Sequence, residues 1–472
     1  MKKNYLLAVV VMAFAVLSTT ACKEKKEKPT EEEPTTEEET SVPYTLSFEE
    51  VNSDYAPALQ SFAWANVGHK LLIVGGRTNG FHGFTGASSV FTPKRNNTYF
   101  YVVDLDSVKT DSLPIPKKYY YQLRSTNMES YNDNGTLYCI GGYGTNSEVD
   151  SPPAATYETY ARLTAINIAD AMNAIENQDA DALEASISMS EADDRLRVTG
   201  GELKKINDYF YLVFGQNFNT IYQGSTTGIY TQEVRKFKID NSTGTPAITD
   251  YSADTCDWDD SSFHRRDLVV LENIMPNGKK GITVYGGVFT PVANGAYFTP
   301  IYIEDDNGST KITTDNNFQQ KFCQYAAPSI TFHNYITGAT YTSIIGGISQ
   351  YSFDASGNEV NSNGAMPFIN NVTTIVRKKD GSSVEYPQQS PTLPGLLGAE
   401  AIFIPRFDLD YTKEVSSTLL DFAKVKEKAS DNTDKGFFIG YMYGGIESSA
   451  AQSSATQPTV ASNKVFKVYI HF

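Results

Sequence analysis

Four of the eleven arginines in this 472-residue chain fall beside other hydrogen-bonding or titratable side chains. Arg77 lies in "GGRTNGFHGF" with Asn79 and His82, Arg124 in "LRSTNM" with Asn127, and Arg265 and Arg266 in "FHRRD" directly after His264. A guanidinium presents a planar fork of donors to a carboxylate, phosphate or catecholate. Arg77, Arg124, Arg265 and Arg266 are therefore candidates to hold an anionic group, with Asn79 and Asn127 as neighbouring hydrogen-bonding partners. The competing role is structural, an Arg–Asp pair such as Arg266 with Asp267 pinning neighbouring strands. His82 and His264 are candidates for a general base or for metal ligands. His69, His333 and His471 sit in turn-like or terminal-strand contexts, and Tyr119, Tyr120 and Tyr121 read as packing at a rim. No G-x-S-x-G, H-E-x-x-H, phosphate loop or paired-cysteine metal motif occurs, so the sequence indicates no cofactor and no metal, and catalytic residues stay unassigned apart from the two histidines.

Such residues act together only if the fold gathers them, and the chain repeats itself in a way that would. "KLLIVGGRTNG" at 70 is echoed by "TLYCIGGYGTN" at 136, "YFYLVFGQNFN" at 209, "GITVYGGVFTP" at 281, "YTSIIGGISQY" at 341 and "FIGYMYGGIES" at 438. Each is an apolar, β-branched or aromatic run closed by glycine. In most copies a second strand with a turn-like tail follows after a loop, as in "TYFYVVDLDS" at 98 and "NKVFKVYIHF" at 463. Self-similarity at a period of tens of residues signals stacked or radially repeated units.

These copies resemble the kelch repeat, whose second strand ends in a glycine pair. The resemblance implies an all-β fold, a six-bladed β-propeller of four-stranded blades over 43–472. Two features depart from the family: the tryptophan after the third strand is missing, and Phe214 stands where the third copy would have its first glycine. Glycine suits the position because inner strands crowd near the axis and because it reaches left-handed backbone angles. The chain ends on what reads as a third strand, so "VPYTLSFEEVNS" at 43–54 is expected to supply the missing outer strand and leave no open edge. Helical spacing predicts a helix over 168–189, between outer strands of the second unit, and a charged, partly helical excursion over 408–435. Both are expected to decorate the fold.

The first 21 residues carry two lysines, a short apolar stretch and small residues before Cys22, the layout of a secretory signal. The stretch resembles a bacterial lipobox, with Thr19 where leucine is usual, which implies lipidation of Cys22 and a membrane contact through the lipid alone. Residues 22–42 are charged and broken by proline, too polar to fold, and read as an acidic tether. The lysine and glutamate run after Cys22 resembles surface-export tags of Bacteroidota lipoproteins, which implies an outer-membrane, cell-surface address. Net charge is −16, which argues against sequence-independent nucleic-acid binding. Cys139, Cys256 and Cys323 remain after Cys22, allowing at most one disulfide, with Cys256 and Cys323 the pair to test.

In a propeller the loops after the glycine pairs share one face. Here they span 77–97, 143–160, 216–232, 288–299, 348–369 and 446–462 and are rich in Tyr, Phe, Asn, Gly, Ser and Thr. Such a surface supplies stacking area and adaptable hydrogen bonds. The motifs "GGRTNGFHGF", "LRSTNM", "FHRRD" and "GGISQY" together resemble a group of Bacteroidota propeller proteins of unassigned activity. The expectation is a surface-anchored protein that captures a polar or anionic ligand, a glycan or nutrient, beside an outer-membrane transporter. A carbohydrate-active enzyme on the same face, of the mutarotase, epimerase or lyase kind that the kelch resemblance admits, is the alternative, and a scaffold for a protein partner is the third reading.

Overall fold

The computed structural model describes residues 41–82, 91–224, 227–256, 261–291, 295–354, 358–361, 366–409, 411, 419–431, 435–452 and 458–472. Cys22, the signal and all but the end of the tether lie outside them. The fold is all-β with its strands paired antiparallel except for one short parallel pair, and six of its sheets carry four or five strands among the described residues. Sheet 1 runs from Ala63–Val67 through Lys70–Val74 and Tyr99–Asp104 to Lys109–Pro114. Sheets 2 to 5 repeat this meander over 126–189, 202–255, 269–314 and 329–388, and sheet 6 is built on 402–405, 437–443 and 465–471.

Burial follows strand position. The second strand of each sheet is apolar almost without alternation because neighbouring sheets cover both of its faces; in Lys70–Val74 and Tyr209–Val213 only the first residue is not buried. The fourth strands alternate instead, as in Ser309–Thr314, where every second residue is exposed. Apolar clusters join sheet 1 to 2, 2 to 3, 3 to 4, 4 to 5, 5 to 6 and 6 back to 1.

The glycine pairs sit where consecutive sheets meet. The second glycine donates its N–H to a carbonyl of the next sheet's leading segment: Gly76 to Ser125, Gly142 to Val198, Gly347 to Leu397 and Gly445 to Leu59, all at 2.8–2.9 Å. At the first glycine of the fifth pair, Gly346, φ is +60° and a Cβ would stand 2.2 Å from the Leu397 carbonyl oxygen. Crowding by the adjoining sheet therefore excludes a side chain there. Phe214 holds the same left-handed angle, φ +57°, with its ring packed on Phe263 at 4.8 Å.

Thr45–Val51 pairs antiparallel with Val465–His471, so the N-terminal strand is the outer strand of sheet 6. Leu46 joins the core shared with sheet 5. The insert after sheet 2's third strand forms helices Ile168–Glu176 and Ala180–Ala185, capped by the side chains of Asn167 and Asp179, before strand Ile187–Met189. The excursion over 408–435 does more than decorate. Its described part contains a strand, Leu419–Asp421, parallel to Ser329–His333, and a helix, Phe422–Lys428; Leu420, Phe422 and Val425 enter the core between sheets 5 and 6. Cys139, Cys256 and Cys323 are all free thiols, so the tested pair forms no bridge. No helix among the described residues is long and apolar enough to cross a membrane.

Candidate functional site

Each glycine pair delivers its next residue to the same place. Residues 77, 143, 216, 288, 348 and 446 pair with Gln60, Thr126, Thr199, Arg266, Tyr325 and Ala399 of the segments leading into the first strands. Five of the six positions of this upper tier, all but Val288, and five of the six of the lower tier, all but Ala399, line one cavity.

A ring of backbone forms its floor. Immediately after the lower tier come Ser61, Asn127, Gly200, Asp267, Ala326 and Glu400, one per sheet, all in the left-handed region with φ between 46° and 69°. They are tied in order. Asn127 N donates to Ser61 O, Thr199 Oγ1 to Asn127 O, Asp267 N to Gly200 O, Ala326 N to Asp267 O and Glu400 N to Ala326 O. Ser61 Oγ donates to Glu400 Oε2 at 2.8 Å and completes the circuit. The same six residues also line a second cavity on the other side, beside Glu129 and Glu202, so the ring separates two compartments.

Charge gathers at the floor and one wall. Arg77 is 2% exposed; its Nε donates to Asn79 Oδ1 and its Nη1 to Asn96 Oδ1, with the guanidinium 4.7 Å over the Phe91 ring. Burial pulls its pKa down to about 10. Arg266 lies 3.4 Å from Asp267 and donates to Gln216 Oε1. Burial is the largest influence and opposes its charge, but Asp267, Tyr230 and Tyr222 together outweigh it and hold the group above its ordinary value. Burial raises Asp267 above the usual carboxylate range, with Arg266 pulling it back. Burial and then Asp267 push Glu400 up to about 8, so it is mostly protonated at neutral pH. Because Gln216 Oε1 accepts from Arg266, the other end of the amide is the donor. That Nε2 is buried, with no acceptor among the described residues, beside the cavity.

Of the residues expected from sequence, Arg77, His82, Asn127 and Arg266 line the cavity. His82 stacks on Phe81, lies tilted against Phe91 and meets Tyr222 edge-on. Asn79 stands behind, orienting Arg77. The expected convergence of Arg124 and Arg265 on the same rim does not occur. Arg124 Nη2 donates to the Thr145 and Ser147 carbonyls while the group lies over Tyr120 and Tyr121. Arg265, 0% exposed, donates to Ser262, Gly286 and Thr299 carbonyls and lies over Tyr297. Both are taken up by backbone carbonyls, and neither lines the cavity. His264 is also outside it, hydrogen-bonded through Nδ1 to Phe289 O and stacked on Tyr230 at 3.6 Å.

Sequence reasoning missed Tyr143, Gln216, Ile348 and Ile446, although their place directly after the glycine pair was a usable signal. It also missed Asp267 and Glu400 as floor residues, and no residue type marks that ring. No protein-family model matches this chain, and no curated protein matches it. Among solved structures the chain is similar to one titled "Structure of YjhT", at 12% identity and a TM-score of 0.47, covering 89% of this chain and 99% of that one.

Proposed function

We propose that the six sheets are the blades of a kelch-like β-propeller closed by its N-terminal strand, and that its axial cavity captures a small polar or anionic ligand, a glycan or nutrient. Cyclic packing of sheet on sheet, with sheet 6 returning to sheet 1, supports the ring. The observation that carries the binding reading is the buried Gln216 amide without an acceptor, standing between Arg266 and a cavity that also holds Arg77. An unsatisfied buried donor costs about 1–3 kcal/mol, and a ligand oxygen would recover it.

In this reading Cys22 carries the lipid and residues 22–42 are the tether to the outer membrane, with the folded part at the cell surface beside a transporter. Thr45 pairs with His471, at the end of sheet 6 away from the glycine pair, whereas Val51 pairs with Val465 next to it.

Calorimetry against a panel of glycans, siderophores and small carboxylates tests capture. Saturable binding that falls at least tenfold in Gln216→Ala is expected, and silence across the panel rejects the reading. Palmitate labelling lost in Cys22→Ala, with protease accessibility on whole cells, tests the address.

Glu400 and Asp267 favour a second reading, acid–base catalysis on the captured ligand, because perturbed buried carboxylates in a cavity are suited to proton transfer. Sugar turnover abolished by Glu400→Gln or His82→Ala, with affinity retained, would select it over simple capture.

A further inference from the structure

The three guanidinium nitrogens of Arg266 face three different side chains of the cavity lining. Nη1 donates to Gln216 Oε1, Nη2 donates to the Tyr222 hydroxyl at 3.4 Å, and Nε stands 3.4 Å from Asp267 Oδ2. Because a guanidinium only donates, Gln216 and Tyr222 spend lone pairs on it and keep their protons. Gln216 Nε2 is buried with no acceptor among the described residues. Asp267 presents the opposite polarity. Arg266 Nε attracts it by charge but makes no hydrogen bond to it, so the carboxylate keeps lone pairs for another donor. Two donors and one acceptor are thus held around one rigid plane. Tyr222 also closes a circuit of rings in the same lining, running through His82, Phe91, Tyr143 and Phe218 with neighbouring centroids 4.7–5.7 Å apart. Flat rings pack on such a cluster by offset stacking or by their edges.

We propose, resting on the capture reading above, that the ligand is a flat, neutral cyclic amide, a pyridone-like or pyrimidinone-like ring. Its C=O accepts from Gln216 Nε2 and the Tyr222 hydroxyl, its adjacent N–H donates to Asp267, and its ring lies against the aromatic circuit. A carbonyl oxygen has two lone pairs, one for each donor, and a cyclic amide fixes the N–H beside it on one edge. A carboxylate offers no proton and would set its charge against Asp267. An ammonium group offers no lone pair to Gln216. A monosaccharide brings hydroxyls around its ring, but Gln60 Nε2, Thr126 Oγ1 and Thr199 Oγ1, which line the same cavity, already donate to the Asn79 and Gly80 carbonyls, to Asn127 Oδ1 and to the Asn127 carbonyl. They hold no proton for further hydroxyls, and the two polar atoms of the amide need none.

Calorimetry on the full chain with 2-pyridone, 2-pyranone, δ-valerolactam, benzoate and glucose separates these terms. 2-Pyranone has the same shape as 2-pyridone with a ring oxygen in place of the N–H, and it is expected to bind at least tenfold more weakly. δ-Valerolactam, with the same amide on a puckered ring, should bind at least threefold more weakly. Asparagine tolerates the left-handed angle of residue 267, φ +54°, and its side-chain amide can turn a donor toward the ligand. Asp267→Asn should therefore bring 2-pyranone within threefold of 2-pyridone, and an unchanged ratio between the two overturns the role given to Asp267. 2-Pyranone matching 2-pyridone in the unaltered protein overturns the amide assignment without any variant having to fold, and δ-valerolactam matching it overturns the flat ring. Benzoate or glucose binding tighter than 2-pyridone overturns the cyclic amide while capture stands. If no probe binds and the wider panel is silent as well, the capture reading falls together with this one.

Discussion

Arg265 and Arg266 are adjacent in sequence and opposite in role. Arg265 hydrogen-bonds the Gly286 carbonyl, as Gln324 does that of Gly346 and Gln122 that of Gly141, so it is the fourth sheet's version of a recurring strut. Arg265→Ala strands several buried carbonyls at about 1–3 kcal/mol each. Chemical denaturation should show a loss of at least about 3 kcal/mol, while any ligand's affinity stays within threefold. The sequence could not separate the two arginines because the register of this segment is set by the left-handed Asp267 after them, and no residue pattern announces that angle.

Glu400 offers a test by pH. Its pKa is about 8 in the folded protein against an ordinary 4.5, so between these values the folded chain keeps a proton that the unfolded chain has released. Stability must then fall as pH rises across that window and level off above about 8. Glu400→Gln should flatten the dependence of the urea midpoint on pH. Burial also raises Glu129 and Glu385, so some slope persists, and an unchanged profile would show that Glu400 is not the proton carrier.

At the level of the strand and its exit, the glycine pairs were legible because their cause is local and steric. Gly346→Ala puts a methyl against the Leu397 carbonyl as well as into a left-handed angle. Gly308→Ala, at φ +93° with nothing within 4 Å, meets only the angle. The second should cost about 1–2 kcal/mol and the first clearly more, read as unfolding free energies. Equal losses would mean that backbone angle alone, and not the approach of the next sheet, selects glycine there. The floor ring was illegible for the opposite reason. Ser61, Asn127, Gly200, Asp267, Ala326 and Glu400 share a conformation imposed by hydrogen bonds between sheets, so six different residue types occupy one structural position. The short strand Leu419–Asp421 was hidden in the same way. Three residues inside a charged insert carry no periodicity, and only the exposed flank of Ser329–His333 makes them a strand.

Taken whole, the molecule depends on its N-terminal strand in two directions. Counting strands from the sequence left sheet 6 one short, which made 43–54 the natural candidate, and Thr45–Val51 fills that place. The same strand also fastens sheet 5. Gln388 accepts from Leu46 N and donates to Leu46 O, both at 2.8 Å, and the Tyr44 hydroxyl meets Ser343 Oγ at 2.9 Å. Leu46 is 0% exposed within the core of both sheets, so Leu46→Asp buries a carboxylate among hydrocarbon and should cost at least about 3 kcal/mol. Thr45→Asp, one residue earlier on the exposed face, should cost about 0.5 kcal/mol or less. The cavity draws its walls from all six sheets, so loosening the contact between sheets 5 and 6 removes support from Ile348 and Ile446 together. Ligand affinity should therefore fall with stability in Leu46→Asp and hold in Thr45→Asp, measured by thermal unfolding and calorimetry on the same preparations. If Leu46→Asp unfolds at the wild-type temperature and binds as tightly, the strand is an accessory to a ring that closes without it.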